Sequence, residues 1–126
     1  MTKDKLSKDQ YFITQQHGTE PPFSGEYLYN IEKGIYKCIC CDTNLFSSDA
    51  KYESHTGWPS FFDVISSNAI GSSKDETHGM VRTEVHCSKC KAHLGHVFPD
   101  GPRPTGLRYC INSLALNFIK EKNNES

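Results

Sequence analysis

Six cysteines stand at positions 38, 40, 41, 87, 90 and 110, and their spacing separates them into two kinds of chemistry. Cys38 with Cys41 and Cys87 with Cys90 form two C-x-x-C pairs. Two such pairs bring four thiolates to one ion, the donor set of a closed tetrahedral zinc site. Iron accepts the same ligands, and a thioredoxin-type redox pair has the same spacing, but no βαβ pattern surrounds either pair and no electron-transfer signature accompanies them. The spacing therefore predicts one structural Zn2+ on Cys38, Cys41, Cys87 and Cys90. Cys40, inside the first pair, could in principle replace Cys41.

Cys110 has no partner by spacing. If GLRYCINS is a strand, Arg108, Cys110 and Asn112 share one face, and Leu107, Tyr109 and Ile111 the other. A guanidinium beside the sulfur would favour the thiolate, which is the nucleophilic form. The competing possibility is a buried cysteine acting as a small hydrophobe. The stretch KAHLGHVFPDG adds His93, His96 and Asp100, which can supply a proton donor and a carboxylate to hold an imidazole. These histidines could instead be metal ligands or surface residues; four thiolates already satisfy a zinc ion, which weakens the ligand option. HTGWPSFF carries the single tryptophan, Trp58, on a turn-like segment before Pro59. There it either walls a pocket for a small apolar group or packs in the core.

The elements that must position these residues are short. LSKDQYFITQQHG predicts a helix with Ser7 as N-cap, Gln10 closing a capping box, Leu6 stapled onto Tyr11 and Gly18 as the stop. GTEPPFSGEY is an irregular connection. Strand-like runs follow in GIYKCIC, FFDVI, MVRTEVHC, HLGHVF and LRYCINSLALNFI, which together predict antiparallel sheet. In VRTEVHC, Val81, Thr83, Val85 and Cys87 read as the packed face, and Arg82, Glu84 and His86 as the wet one. SSNAIGSSKDETHG reads as a polar loop and residues 120–126 as a frayed tail.

With 126 residues the chain is expected to form a single domain, 1–126, with a helical N-terminal segment over 1–20. Hydrophobic residues are 36% and charged ones 23%, the range of globular proteins, and a formal net charge of -1 argues against nucleic acid as a partner. MTKDKLSKDQ has no apolar leader region and no later run is long enough to span a bilayer, so no membrane partner and a cytoplasmic address are expected. In that reducing compartment cysteines serve metal or redox chemistry rather than a disulfide framework. No long apolar helix points to a dimer, and monomer is the expectation.

Taken together, GTEPPFSGEY, the two C-x-x-C pairs, GWPSF, CxxCxAHLGHVFPDGP and PTGLRYCINS resemble the methionine-R-sulfoxide reductases, the B class of methionine sulfoxide reductases. The resemblance runs in order from Gly18 to the last strand. It implies a mainly β fold of two antiparallel sheets, a β-tent or Mss4-like arrangement, with a short N-terminal helix and a structural zinc on the four paired cysteines. It implies that Cys110 attacks the sulfoxide sulfur of methionine R-sulfoxide in proteins, releases methionine and becomes a sulfenic acid that thiols reduce. His93 and His96 would be the acids, Asp100 would help position them, Arg108 would stabilise the thiolate, and Asn112 would hydrogen-bond near the reacting centre. Trp58 and Phe98 would hold the S-methyl group. Many relatives carry a resolving cysteine just before GWPSF, where this chain has Thr56, so thioredoxin or another external thiol would regenerate the enzyme, or else Cys40. The rival class is a zinc-stapled β domain that only binds a ligand or protein.

Overall fold

The computed structural model describes residues 6–76 and 81–121. Among the described residues nine short strands form two antiparallel sheets, accompanied by one α-helix. The helix α1 (Lys8–Gln15) starts as its sequence dictates: Ser7 Oγ accepts from Gln10 N at 3.1 Å and Gln10 Oε1 accepts from Ser7 N at 2.8 Å. Its left-handed stop is His17 (φ 56), one residue before the expected Gly18, whose N–H donates to Phe12 O. Leu6 packs against the core while Tyr11 stays exposed.

The smaller sheet has β1 (Gly34–Cys38) between β2 (Asn44–Ser47) and β9 (Leu116–Lys120). The larger has the order β3 (Lys51–Tyr52), β4 (Ser60–Phe61), β8 (Arg108–Ile111), β7 (His93–Phe98), β6 (Arg82–Cys87) and β5 (Ile70–Asp75). Aromatic rings fill the space between the sheets. Phe46 of β2 stacks on Phe61 of β4 at 4.3 Å, and Tyr36 of β1 meets Phe61 edge-on at 5.1 Å, all three fully buried. Burial pushes the Tyr36 phenol up to about 12, and its hydroxyl is satisfied by Asn30 Nδ2 at 2.8 Å.

Several sequence expectations are corrected. LRYCINSLALNFI is not one strand: a 3-10 turn at Ser113–Ala115 breaks it, so β8 lies in the larger sheet and β9 in the smaller. FFDVI leaves the sheet after Phe61. The polar run from Ser66 contains a full strand, β5, paired along all six residues with β6; its Thr77–Gly79 portion, and Met80 of the next run, lie outside the described residues. Lys120 closes β9 opposite Gly34 instead of fraying, and residues 122–126 lie outside the described range. The β6 faces also differ: Val81 and Thr83 are exposed, whereas Glu84 is buried with 8% of its surface accessible. It is buried because three side chains hydrogen-bond it, as described below. Among the described residues no helix is long and apolar enough to cross a membrane.

Candidate active site and metal centre

The two C-x-x-C pairs are built as twin turns. Cys38 closes β1 and Cys87 closes β6; each accepts at its carbonyl from the residue four positions on, Asp42 at 2.9 Å and Lys91 at 2.8 Å. Asp42 (φ 65) and Lys91 (φ 69) are both left-handed, the bend that turns the second cysteine of each pair back toward the first. The four sulfurs lie within 4.8 Å of one another, with Cys38 to Cys90 at 3.6 Å and Cys41 to Cys87 at 3.5 Å. A tetrahedron with metal–sulfur bonds of about 2.3 Å has edges of about 3.8 Å, so the donor set fits one ion. The electrostatics agree. Hydrogen bonding from Cys38 lowers the Cys87 thiol while burial raises Cys90, and four thiolates this close together repel one another unless a cation sits between them. Cys40 is outside the cluster, buried, with Gln15 Nε2 at 3.5 Å from its sulfur.

Cys110 sits on β8, paired with Ser60 of β4 on one side and His96 of β7 on the other. Gly95, next to it on β7, lets the two strands close: a Cβ there would overlap the Cys110 carbonyl. The sulfur faces a cavity of about 110 Å³ whose walls include Trp58, His96, Phe98, Arg108 and Asn112. Arg108 Nη1 lies 2.8 Å from Cys110 Sγ, the same-face arrangement that the strand period requires. The guanidinium is itself held three ways: Nε and Nη2 donate to the Asp100 carboxylate at 2.8 and 3.1 Å, and Cζ stacks over the Phe98 ring at 4.3 Å. The Asp100 pairing raises Arg108, and the same hydrogen bonds hold Asp100 below the usual carboxylate range.

The histidines are oriented by other acids than expected. Asp100 contacts Arg108, whereas His93 Nδ1 donates to Glu84 Oε2 and His96 Nε2 to Asp75 Oδ2, both at 2.8 Å. Burial of Glu84 opposes its ionisation, but hydrogen bonds from His93, Ser73 and His86 prevail and hold it at about 2. Burial lowers His96. Only His96 of the two borders the Cys110 cavity; His93 lies behind it, 2% exposed, with the ring centroids 5.6 Å apart. Asn112 borders the cavity, yet its amide atoms are engaged elsewhere: Oδ1 accepts from Glu20 N and Nδ2 donates to Leu94 O, both at 3.0 Å. Trp58 Nε1 donates to Glu20 O at 2.9 Å, which fixes the indole against the wall.

Sequence reasoning missed Glu84, Asp75, Arg82 and Glu20. Glu84 and Arg82 stand on β6, the strand next to the histidines of β7, and Asp75 stands one strand further out on β5, opposite Arg82, whose Nη2 donates to it at 3.3 Å and which borders the cavity; only sheet register reveals this relation. Glu20 is a buried carboxylate inside GTEPPFSGEY, an atypical burial for that residue type, and accepts from Ser113 N and Leu114 N at 2.9 and 3.0 Å. Thr56 Oγ1 and Ser60 Oγ lie 3.6 and 3.7 Å from Cys110 Sγ and are joined through Ser54.

The SelR domain family model matches residues 6–120. A curated relative, the "Peptide methionine sulfoxide reductase MsrB" of Thioalkalivibrio sulfidiphilus (strain HL-EbGR7), is 58% identical over 116 residues, 92% of this chain and 85% of its own. Among solved structures the Mis18 "Yippee-like" domain shares the fold, with a TM-score of 0.57 at 17% identity over 73% of this chain and 100% of that domain. A thiol in a walled pocket, on a cysteine-clustered β fold with these relatives, makes the protein an oxidoreductase acting on methionine sulfoxide. The chain belongs to the SelR-domain family, the B class of methionine sulfoxide reductases.

Proposed function

We propose that the protein reduces the R epimer of methionine sulfoxide in oxidised proteins and peptides, acting as a monomeric single-domain cytoplasmic enzyme that draws electrons from thioredoxin or another thiol. The observation that carries this reading is Cys110 Sγ in hydrogen-bond range of Arg108 at the edge of a cavity walled by Trp58 and Phe98. The rings take the S-methyl group, and the sulfoxide oxygen points toward His96, a choice of direction that selects one configuration at sulfur.

In the first step the Cys110 thiolate forms a bond to the sulfoxide sulfur, while His96, backed by His93, delivers a proton to the oxygen. As the oxygen passes to the cysteine, the product sulfide leaves with its lone pair restored: thiolate, sulfoxide and one proton become cysteine sulfenic acid and methionine. Arg108, clamped by Asp100, stabilises negative charge on the sulfur throughout, and Asn112 holds the strand end in place. A thiol then displaces water from the sulfenic acid to form a mixed disulfide, and a second thiol frees Cys110. Thr56 stands where a resolving cysteine would be, so the attacking thiol comes from outside; Cys40, buried beside the cluster, is poorly placed to supply it. The four clustered cysteines fit Zn2+, which when bound neutralises their thiolates and staples the fold.

Dithiothreitol-supported reduction of separated R and S epimers of a blocked methionine sulfoxide, by wild type and Cys110→Ser, tests the reading. Turnover of R alone, abolished in the folded variant, is expected; equal turnover of both epimers, or activity surviving in Cys110→Ser, would overturn it.

A further inference from the structure

Phe23 is out of place by every local criterion. The segment Pro21–Ser24 is a tight turn, closed by Ser24 N to Pro21 O at 3.3 Å and by Ser24 Oγ to Pro21 O at 2.6 Å. Pro22 takes the second position and Phe23 the third, with φ 66, the left-handed place where glycine or asparagine is the low-energy choice. A bulky aromatic there is strained, and burial does not compensate, because 63% of Phe23 is exposed. Yet the turn is pinned firmly: Phe23 N donates to Gly57 O at 2.7 Å. A Cβ on Gly57 would meet Pro22 Cβ at 2.7 Å and the Phe23 ring edge at 3.1 and 3.2 Å, and Gly57 (φ 97) has none.

Gly57 joins Thr56, whose hydroxyl is 3.6 Å from Cys110 Sγ, to Trp58, which walls the cavity. The exposed ring is therefore anchored to the loop that sets Thr56 beside the sulfur and supplies the Trp58 wall, while the ring itself stays outside the cavity lining. A cavity of about 110 Å³ holds a methionine sulfoxide side chain and little more, so the polypeptide carrying that side chain must cross the rim. We infer that Phe23 is a docking residue for the polypeptide flanking the methionine sulfoxide, its ring covering apolar side chains and backbone next to the oxidised residue. This rests on the reductase function proposed above and adds the residue that meets the chain on either side of the oxidised methionine.

The test compares kinetics on free methionine sulfoxide and on a short peptide with an internal methionine sulfoxide flanked by leucines, for wild type, Phe23→Asn and Phe23→Tyr. Asparagine suits the left-handed position, so Phe23→Asn is expected to fold with an unchanged or higher thermal midpoint. KM for the peptide is expected to rise about three- to ten-fold, the worth of one aromatic contact, with KM for the free amino acid and kcat on both unchanged. Phe23→Tyr should restore the wild-type peptide KM. Parallel changes on both substrates, a lowered midpoint that accounts for the loss, or an unmoved peptide KM would overturn the inference while leaving the reductase reading intact. A wild-type protein inactive on both substrates would overturn both.

Discussion

The shortest contact to the Cys110 sulfur comes from a donor that is itself immobilised. Arg108 spends two guanidinium nitrogens on Asp100 and its face on Phe98, leaving Nη1 aimed at the sulfur at 2.8 Å. A lysine offers the charge without the fork and cannot hold Asp100 and the sulfur together. Arg108→Lys is therefore expected to lower kcat/KM about 10- to 100-fold, the equivalent of a lost charge-assisted hydrogen bond of about 1.5–3 kcal/mol, with stability nearly unchanged. Asp100→Asn should cost less, since Phe98 still orients the guanidinium. Steady-state kinetics on both variants checks the order, and Asp100→Asn as damaging as Arg108→Lys would show that the carboxylate acts on more than its arginine.

Strands β5, β6 and β7 are tied by a polar seam. Glu84 accepts from Ser73 of β5 at 2.8 Å, from His93 of β7 at 2.8 Å and from His86 of its own strand at 3.2 Å. Its carboxyl sits at about 2 against an ordinary 4.5. A depressed carboxylate contributes stability that is full above about 4.5 and is lost as pH falls toward 2; by the usual conversion the amount is on the order of 3 kcal/mol. Glu84→Gln is thus expected to have a lower urea midpoint than wild type at pH 7, with the gap closing as the pH is taken from 4.5 to 2. A gap that does not change with pH would assign the effect to shape rather than charge. This seam is also where the sequence was least legible. The cysteine pairs, the β7 run and the Arg108–Cys110 face could be read because their meaning lies in local spacing. Ser72, Ser73 and Lys74 of β5 are exposed and show no apolar alternation, so what makes them a strand is pairing with β6. Sequence proximity pairs Asp100 with the histidines, whereas in the fold Glu84 and Asp75 reach them across the sheet.

At the scale of the molecule, two devices join the sheets besides the aromatic core. One is the cysteine cluster, with Cys38 at the end of β1 in the smaller sheet and Cys87 at the end of β6 in the larger. Structural zinc in such sites is worth about 10–16 kcal/mol, more than the stability of a typical domain. Cys87→Ser is expected to lose metal and cooperative unfolding together; a folded, metal-free variant, judged by metal analysis and near-ultraviolet circular dichroism, would deny the metal a structural role. The other device is Glu20, which caps the 3-10 turn where the chain passes from β8 to β9 and, through its backbone, holds Asn112 and Trp58. Glu20→Ala strands two backbone N–H groups and should cost roughly 2–4 kcal/mol in urea unfolding. Glu20→Gln, which keeps one acceptor, should recover about half. Equal losses would show that the negative charge matters more than hydrogen-bond acceptance.

The hydroxyl of Thr56, 3.6 Å from the reactive sulfur, also sets how the enzyme is paced. A thiol tethered at that position would meet the oxidised cysteine at millimolar or higher effective concentration, independent of the surrounding solution. On the mechanism proposed above, with threonine there the second half-reaction is an encounter between two molecules. Its rate would then follow the concentration of free reductant, and with that pool drained the enzyme would accumulate as the proposed sulfenic acid, open to further oxidation. Turnover would then report the redox charge of its surroundings as well as the supply of damaged substrate.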